Sequence, residues 1–296
     1  MTATAYAEPA ASDRRATTLV DVDWAREHLD DPKVRFLEVD VDTSAYDAGH
    51  LPGAVGINWT TQLNDPVVRE LAPRESLEEL LRAAGVNDDT LIVLYGDNEN
   101  WFAAWAYWQL KYQGLDNVRL LDGGRKKVEA AGLPLTADAP SHPRGNVTLG
   151  QDKRENLRAY RDQVIASIGK PGSALVDVRS PAEYSGELAA PEHLPQERAQ
   201  RKGHIPGAAN IPWAKAVAED GTFKSDDELA ALYADKGVTP DKEVIAYCRI
   251  GERSSHSWFV LAELLGYPNV RNYDGSWTEY GSLVGAPIET GTSSTT

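Results

Sequence analysis

"YGDNENWFAAWAYWQLKYQGLDNVRLLDGG" at residues 95–124 returns without gaps, 152 residues later, as "YCRIGERSSHSWFVLAELLGYPNVRNYDGS" at 247–276. The opening tyrosine, Gly114 and Gly266 at the end of a helical pattern, "NVR" and "DG" coincide. Upstream, "GHLPGAVGINW" at 49–59 is matched by "GHIPGAANIPW" at 203–213. Repetition of this length marks a duplicated domain. The expected units are 17–135 and 151–290, joined by a proline- and glycine-rich linker over 136–150. A chain of 296 residues suits two domains of ordinary size.

Each copy alternates short apolar runs with helical patterns. "SALVDV" (173–178) and "EVIAY" (243–247) have the length and branched residues of buried strands. Trp258, Leu261, Ala262 and Leu265 then recur at i, i+3, i+4 and i+7, one face of a helix ending at Gly266. "DDELAALYADKG" (226–237) is a second helix, acidic in its first turn. Strands alternating with helices predict an α/β fold in each half, a mostly parallel central sheet flanked by helices.

A formal charge of −15 and a pI near 4.8 argue against nucleic acid or an anionic membrane as partner. No apolar run reaches the ~18 residues of a membrane span, and the amino terminus lacks the apolar core of a signal peptide. With one cysteine no internal disulfide can form, so a cytoplasmic protein is expected. Cysteine and histidine do not recur at ligand spacing, which predicts no metal.

The single cysteine, Cys248, lies in "AYCRIGERSSHSW" (246–258), just past a strand and ahead of a helix expected about six residues on. Ligands of open α/β sheets bind beyond the carboxyl ends of strands. A loop curling into a helix there turns backbone N–H groups inward as an anion cradle. A thiol in that cradle, with Arg249 and Arg253 nearby, is expected to gain thiolate character. Gly251 suits the tight curl, and Ser254 or Ser255 could cap the helix. The alternative, a small buried hydrophobe, fits poorly with the polar Arg-Ile-Gly-Glu-Arg that follows. The first copy has Gly96 in place of the cysteine and "DNENW" in place of "RIGER", so only the second half is expected to be catalytic.

These motifs resemble those of the tandem-domain rhodanese family, the thiosulfate sulfurtransferases. The paired "GH[LI]PGA" segments, "LVDVRSPAEY", "CRIGERS" and "NVRNYDGSW" carry a resemblance that covers about residues 17–288. It implies a two-step transfer in which Cys248 takes the outer sulfur of thiosulfate as a persulfide, releases sulfite, and passes the sulfur to cyanide or a thiol. No cofactor is implied, because sulfite leaves without a proton and a thiolate attacks unaided. Arg249, Arg253 and Arg179 are the implied donor-binding arginines, with Asp177 orienting one of them. The backbone of Ile250, Gly251, Glu252 and Ser254 forms the loop. A thioredoxin-like or other protein is a further possible acceptor, and a monomer or weak dimer is expected.

His50 and His204 occur in both copies, which favours a structural turn. His256 is expected to line the pocket, face solvent or cap a helix, and Trp277 to wall the site or, more simply, to pack in the core. Trp101, Trp105, Tyr107 and Trp108 are expected to pack, partly between the domains. The insertion over 185–202 has only "DAG" as its counterpart, a functional or flexible loop. A mercaptopyruvate sulfurtransferase is the nearest rival, although its loop typically carries less charge. A rhodanese-like phosphatase needs five residues between cysteine and arginine, and Cys248 and Arg253 have four between them. A non-enzymatic sulfur-carrier or interaction module is the third reading, against which the retained cysteine argues.

Overall fold

The computed structural model describes residues 11–150, 152–190 and 198–291. Among the described residues, nine strands form two parallel sheets: β1 Leu19–Val20, β2 Val34–Asp40, β3 Val55–Asn58, β4 Leu91–Tyr95 and β5 Val118–Leu121 in the first half, and β6 Ser173–Asp177, β7 Ala209–Asn210, β8 Glu243–Tyr247 and β9 Val270–Asn272 in the second. The orders are β1-β5-β4-β2-β3 and β7-β6-β8-β9. Read from one edge, β5-β4-β2-β3 and β9-β8-β6-β7 are the same topology. The additional β1 has a counterpart in the isolated parallel bridge of Arg158 to Asn272. All ladders are parallel, so both faces of each sheet must be covered by helices. That requirement explains the continuous apolar runs of β4 and β8.

The register equates the two halves residue by residue. Glu38 pairs with Tyr95 as Asp177 pairs with Tyr247. Two residues on, Asp40 therefore stands in the first half where Arg179 stands in the second. The tyrosine hydroxyls accept from the amides of Leu51 (3.2 Å) and Ile205 (3.1 Å). His50 stacks on Tyr46 and His204 on Tyr184, at 3.9 and 3.6 Å between centroids. Each histidine thus fixes a turn in both copies, away from any reaction.

The helix predicted to follow β8 begins earlier than expected, at Glu252 rather than near residue 254. It runs Glu252–Phe259 and continues as a π-helix over Val260–Leu264. Gly251 is its N-cap, so Ser254 and Ser255 do not cap it; their hydroxyls bond back to the Gly251 carbonyl instead. The 226–237 helix spans Asp226–Ala234 behind a Ser225–Glu228 capping box. The 136–150 segment lies along the first half: the amides of Gly145 and Val147 bond Arg82 and Val86 carbonyls, and Val147 and Leu149 are buried.

The Asp97–Tyr112 helix and the Glu252–Phe259 helix, equivalents in the repeat, pack against each other between the halves. Tyr107 meets Phe259 edge-on at 4.8 Å, and Trp101 meets Trp213 at 4.9 Å. Trp105, Tyr107 and Trp108 belong to one apolar core that runs through both halves. Of the 185–202 insertion, residues 191–197 lie outside the described residues; its far end is tied down where Trp277 Nε1 donates to the Arg201 carbonyl (3.0 Å).

Candidate active site

Cys248 leaves β8 at its carboxyl end, and the chain curls through Arg249, Ile250 and Gly251 into the helix that starts at Glu252. The curl needs a residue in the left-handed region, and Gly251 supplies φ of 101°. A Cβ there would lie 2.5 Å from Trp105 Cζ3 and 2.7 Å from Asp274 Cα. The first half therefore presses directly on the cysteine loop of the second.

The loop is clamped from behind by the segment after β9. The Cys248 amide donates to Ser276 Oγ (3.0 Å), and the Cys248 carbonyl accepts from the Trp277 amide (3.1 Å). The Arg249 carbonyl accepts from Thr278 through its amide and its Oγ1. Asn272 Nδ2 donates to the Gly251 carbonyl (3.2 Å), and Ser254 Oγ bonds Asn272 Oδ1 (2.6 Å). These are the residues of the repeated "NVRNYDGS", whose recurrence signalled a structural role without saying what it holds.

Around the sulfur, the Gly251 amide donates to Sγ (3.1 Å) and Ser254 Oγ approaches it at 3.6 Å. The thiol in turn donates to Glu252 Oε2 at 3.2 Å. Cys248 is wholly buried, and burial with the Glu252 charge beside it pushes its thiol up, against smaller lowering effects of Arg253 and Ser254. The expected thiolate character is thus overturned in this state. Arg253 lowers the thiol less than burial and Glu252 raise it, and the arginine charge is shared with carboxylates. Arg253 Nη1 pairs with Glu183 Oε2 (3.1 Å) and its Nε with Glu252 Oε1 (3.4 Å), while Arg249 Nε lies 3.8 Å from Glu183. Burial raises the Glu183 carboxyl, but Arg253 and then Arg179 outweigh it and hold the group at about 2. Glu183 was missed at the sequence level, although "SPAEY" spells the Ser180–Glu183 capping box that places it.

Arg249, Ile250, Gly251, Glu252, Arg253 and Ser254 follow Cys248 around the curl, and Arg179 acts on Glu183, the partner of Arg253. Arg179 is fully buried, paired with Asp177 (2.6 Å), bonded to the Gly203 carbonyl and stacked on Trp277 at 4.5 Å. Asp177 accordingly orients an arginine. His256 is also fully buried, against Phe223 and Trp213, and burial pushes it down to about 3; it neither lines the pocket nor faces solvent.

In front of the loop a cleft of about 940 Å³ opens between the halves. Ile250 and Glu252 form its floor, and most of its wall comes from the first half: Trp59, Trp101, Phe102, Arg69 and several aspartates. Arg69 Nη2 reaches the carbonyls of Ile250 and Asp274, both at 3.4 Å. Among the described residues no group of three or more His, Cys, Asp or Glu is placed to hold a metal ion, and no helix is long and apolar enough to cross a membrane.

Residues 21–131 and 161–283 each match the Rhodanese-like domain family. A protein of Mycolicibacterium smegmatis named "Putative thiosulfate sulfurtransferase" is 58% identical over 277 residues, covering 94% of this chain and 99% of that protein. The sulfur carrier protein TtuD of Thermus thermophilus is 56% identical over 276 residues, covering 92% and 96%. Among solved structures, EanB carrying a cysteine persulfide, in a tetrahedral intermediate state with ergothioneine, matches with a TM-score of 0.81 at 27% identity, over 95% of this chain and 72% of that one.

Proposed function

The chain belongs to the rhodanese family, with two rhodanese-like domains in tandem, and on that premise we propose that it carries the sulfane sulfur of thiosulfate on Cys248 to cyanide or a thiol. It is a sulfurtransferase; the choice of donor and acceptor is the proposed part. The observation that carries the reading is the surroundings of the sulfur: one inward amide, one hydroxyl and the charge of Arg253 act on a single cysteine that precedes a helix.

In the first half-reaction Glu252 takes the Cys248 proton, over the 3.2 Å that separates them. Sγ attacks the outer sulfur of thiosulfate, the sulfur–sulfur bond of the donor breaks, and sulfite departs with that electron pair. Once protonated, Glu252 draws less on the charge of Arg253, which Glu183 still shares, so more of that charge reaches the donor and the departing sulfite; Arg249 assists. Arg179 acts at one remove, as a positioning charge that helps keep Glu183 ionised. In the second half-reaction an acceptor thiolate attacks the outer persulfide sulfur and Cys248 is released. A protein thiol of thioredoxin type is a further acceptor class, and a nucleophile that must stay reduced suits the cytoplasm.

Mercaptopyruvate is favoured as an alternative donor by one specific contact. Its leaving group is an enolate that needs a proton at carbon, and Glu252 holds one after taking it from Cys248. Intact-mass measurement after incubation with each donor separates the two. A gain of one sulfur (~32 Da, the persulfide) with thiosulfate, absent in Cys248→Ser, is the expected result. A gain with mercaptopyruvate alone would reassign the donor, and no gain with either would leave the sulfur-carrier role to be loaded by another protein.

A further inference from the structure

The cleft in front of the loop has a charge that the donor does not explain. Asp40, Asp42, Asp65 and Asp97 of the first half line it together with Glu252 and Glu279, and Arg69 is the cation among the lining residues. Three aromatic side chains, Trp59, Trp101 and Phe102, complete the wall. Such a surface favours a cation, as its aromatic faces also do.

Asp40 is the telling residue. It is 3% exposed, it lines the cleft, and while its Oδ1 accepts from the Asp97 amide (2.8 Å), its Oδ2 has no hydrogen-bond partner. A buried carboxylate oxygen left without a donor is destabilising, and burial pushes the group up to about 7. A ligand carrying N–H donors and a positive charge supplies both missing interactions. The cleft volume falls within the range of about 300–1,000 Å³ typical of small-molecule sites.

We propose that the inactive half provides an acceptor subsite, in which Asp40 and Asp97 with Trp59 and Trp101 hold the ammonium group of a small cationic thiol while that thiol discharges the Cys248 persulfide. This rests on the sulfurtransferase reading above and names the acceptor class for the same site. In the step, the acceptor thiolate forms a bond to the outer sulfur and the bond between that sulfur and Sγ breaks. The electron pair returns to Sγ, and the acceptor leaves as its persulfide. Nothing is oxidised or reduced beyond this exchange. Glu252 lines the cleft and also accepts from Sγ, so the cleft lies one side chain from the reacting sulfur.

The test uses the full chain loaded with one sulfur, checked by intact mass, and then discharged by cysteamine, 2-mercaptoethanol or 3-mercaptopropionate. These acceptors are cationic, neutral and anionic, and are compared at equal thiolate concentration. Loading is done with thiosulfate or, if that fails, with inorganic polysulfide, so that failure of the donor reading does not halt the test. Cysteamine should discharge the persulfide at least tenfold faster than 3-mercaptopropionate. Asp40→Asn combined with Asp97→Asn should cut that preference at least threefold while 2-mercaptoethanol stays within twofold. Equal rates for the three thiols, a preference for the anion, or a preference untouched by the double variant would overturn the proposal and leave the thiosulfate reading standing.

Discussion

In the first half Gly96 stands where the second has Cys248, Asp97 where it has Arg249, Asn100 where it has Glu252 and Trp101 where it has Arg253. The strands feeding the two loops are equivalent, yet the turns differ. The second reaches its helix through a single left-handed residue, Gly251. The first uses three non-glycine residues in that region, Asn98, Glu99 and Asn100, with φ of 51, 48 and 70°. Non-glycine residues rarely hold such angles, and each costs of the order of 1–3 kcal/mol. Asn100 holds them: its Oδ1 accepts from the Gly96 amide and its Nδ2 donates to the Leu121 carbonyl. The second copy has the cysteine turn, while the first has a braced wall with opposite charge, Asp40 in place of Arg179 and Asp97 in place of Arg249.

The largest effect that can break this comparison is loss of the nucleophile. Cys248→Ser should abolish persulfide formation, and adding Gly96→Cys should not restore it. A Cβ at residue 96 would sit 2.4 Å from the Val39 carbonyl oxygen, so the substitution should also cost about 2–4 kcal/mol in urea unfolding. A persulfide on the double variant would show that the halves are still interchangeable. Next in size is Gly251→Ala. It forces an L side chain to φ of 101° and into Trp105 and Asp274. We expect a loss of about 2–4 kcal/mol and of most sulfur transfer; wild-type transfer in this variant would mean the loop does not need its tight curl.

Much of this was legible in the sequence because repetition exposes frame residues. The tyrosines, the "GH[LI]PGA" turns and the "NVR" and "DG" positions recur since both sheets need them, and Cys248 stood out by breaking the repeat. The arginines were legible as residues, and Asp177 as a partner for one of them, but Glu183 was not. Arg249 and Arg253 sit close to Cys248 in the chain, whereas Glu183, which takes their charge, is about seventy positions away from Arg253. The same distance hid the press of Trp105 on Gly251. The left-handed run at Asn98–Asn100 was hidden because "DNENW" has the composition of an ordinary polar loop. Asp40 could be matched to Arg179 only once the strand register was known, since the first copy carries one more residue between its strand and Tyr46.

Glu252 sharpens the comparison at the sulfur itself, where the first half has an amide. Its charge is the second cause, after burial, that raises the Cys248 thiol. Glu252→Gln should therefore move the pH midpoint of iodoacetamide alkylation downward. If Glu252 is also the proton acceptor, thiosulfate loading should slow by about tenfold or more despite the more acidic thiol. A lower midpoint with faster loading would leave Glu252 as a brake on the thiol, with no part in moving its proton.

The smallest expected effect concerns the carboxylate that replaced an arginine. Burial, with smaller contributions from Asp97 and Glu38, raises Asp40 from an aspartate's ordinary 3.8 to about 7, against lowering by the Asp97 amide and Arg125. Below about pH 4 the group is protonated in both folded and unfolded chains, and nothing is lost. Between that point and pH 7 the unfolded chain ionises first, so stability falls, and above pH 7 the loss is complete. A shift of three units corresponds to at most about 4 kcal/mol, reduced to on the order of 1–2 kcal/mol by relaxation and water entry. Asp40→Asn keeps the Oδ1 acceptor for the Asp97 amide and removes the titration. Its Tm should exceed that of the parent by a few degrees at pH 8 and by much less at pH 4. Equal shifts at both pH values would mean that Asp40 stays ionised through some local compensation. The expected pattern would show that the inactive half keeps a carboxylate at a cost in stability, as a binding role for it requires.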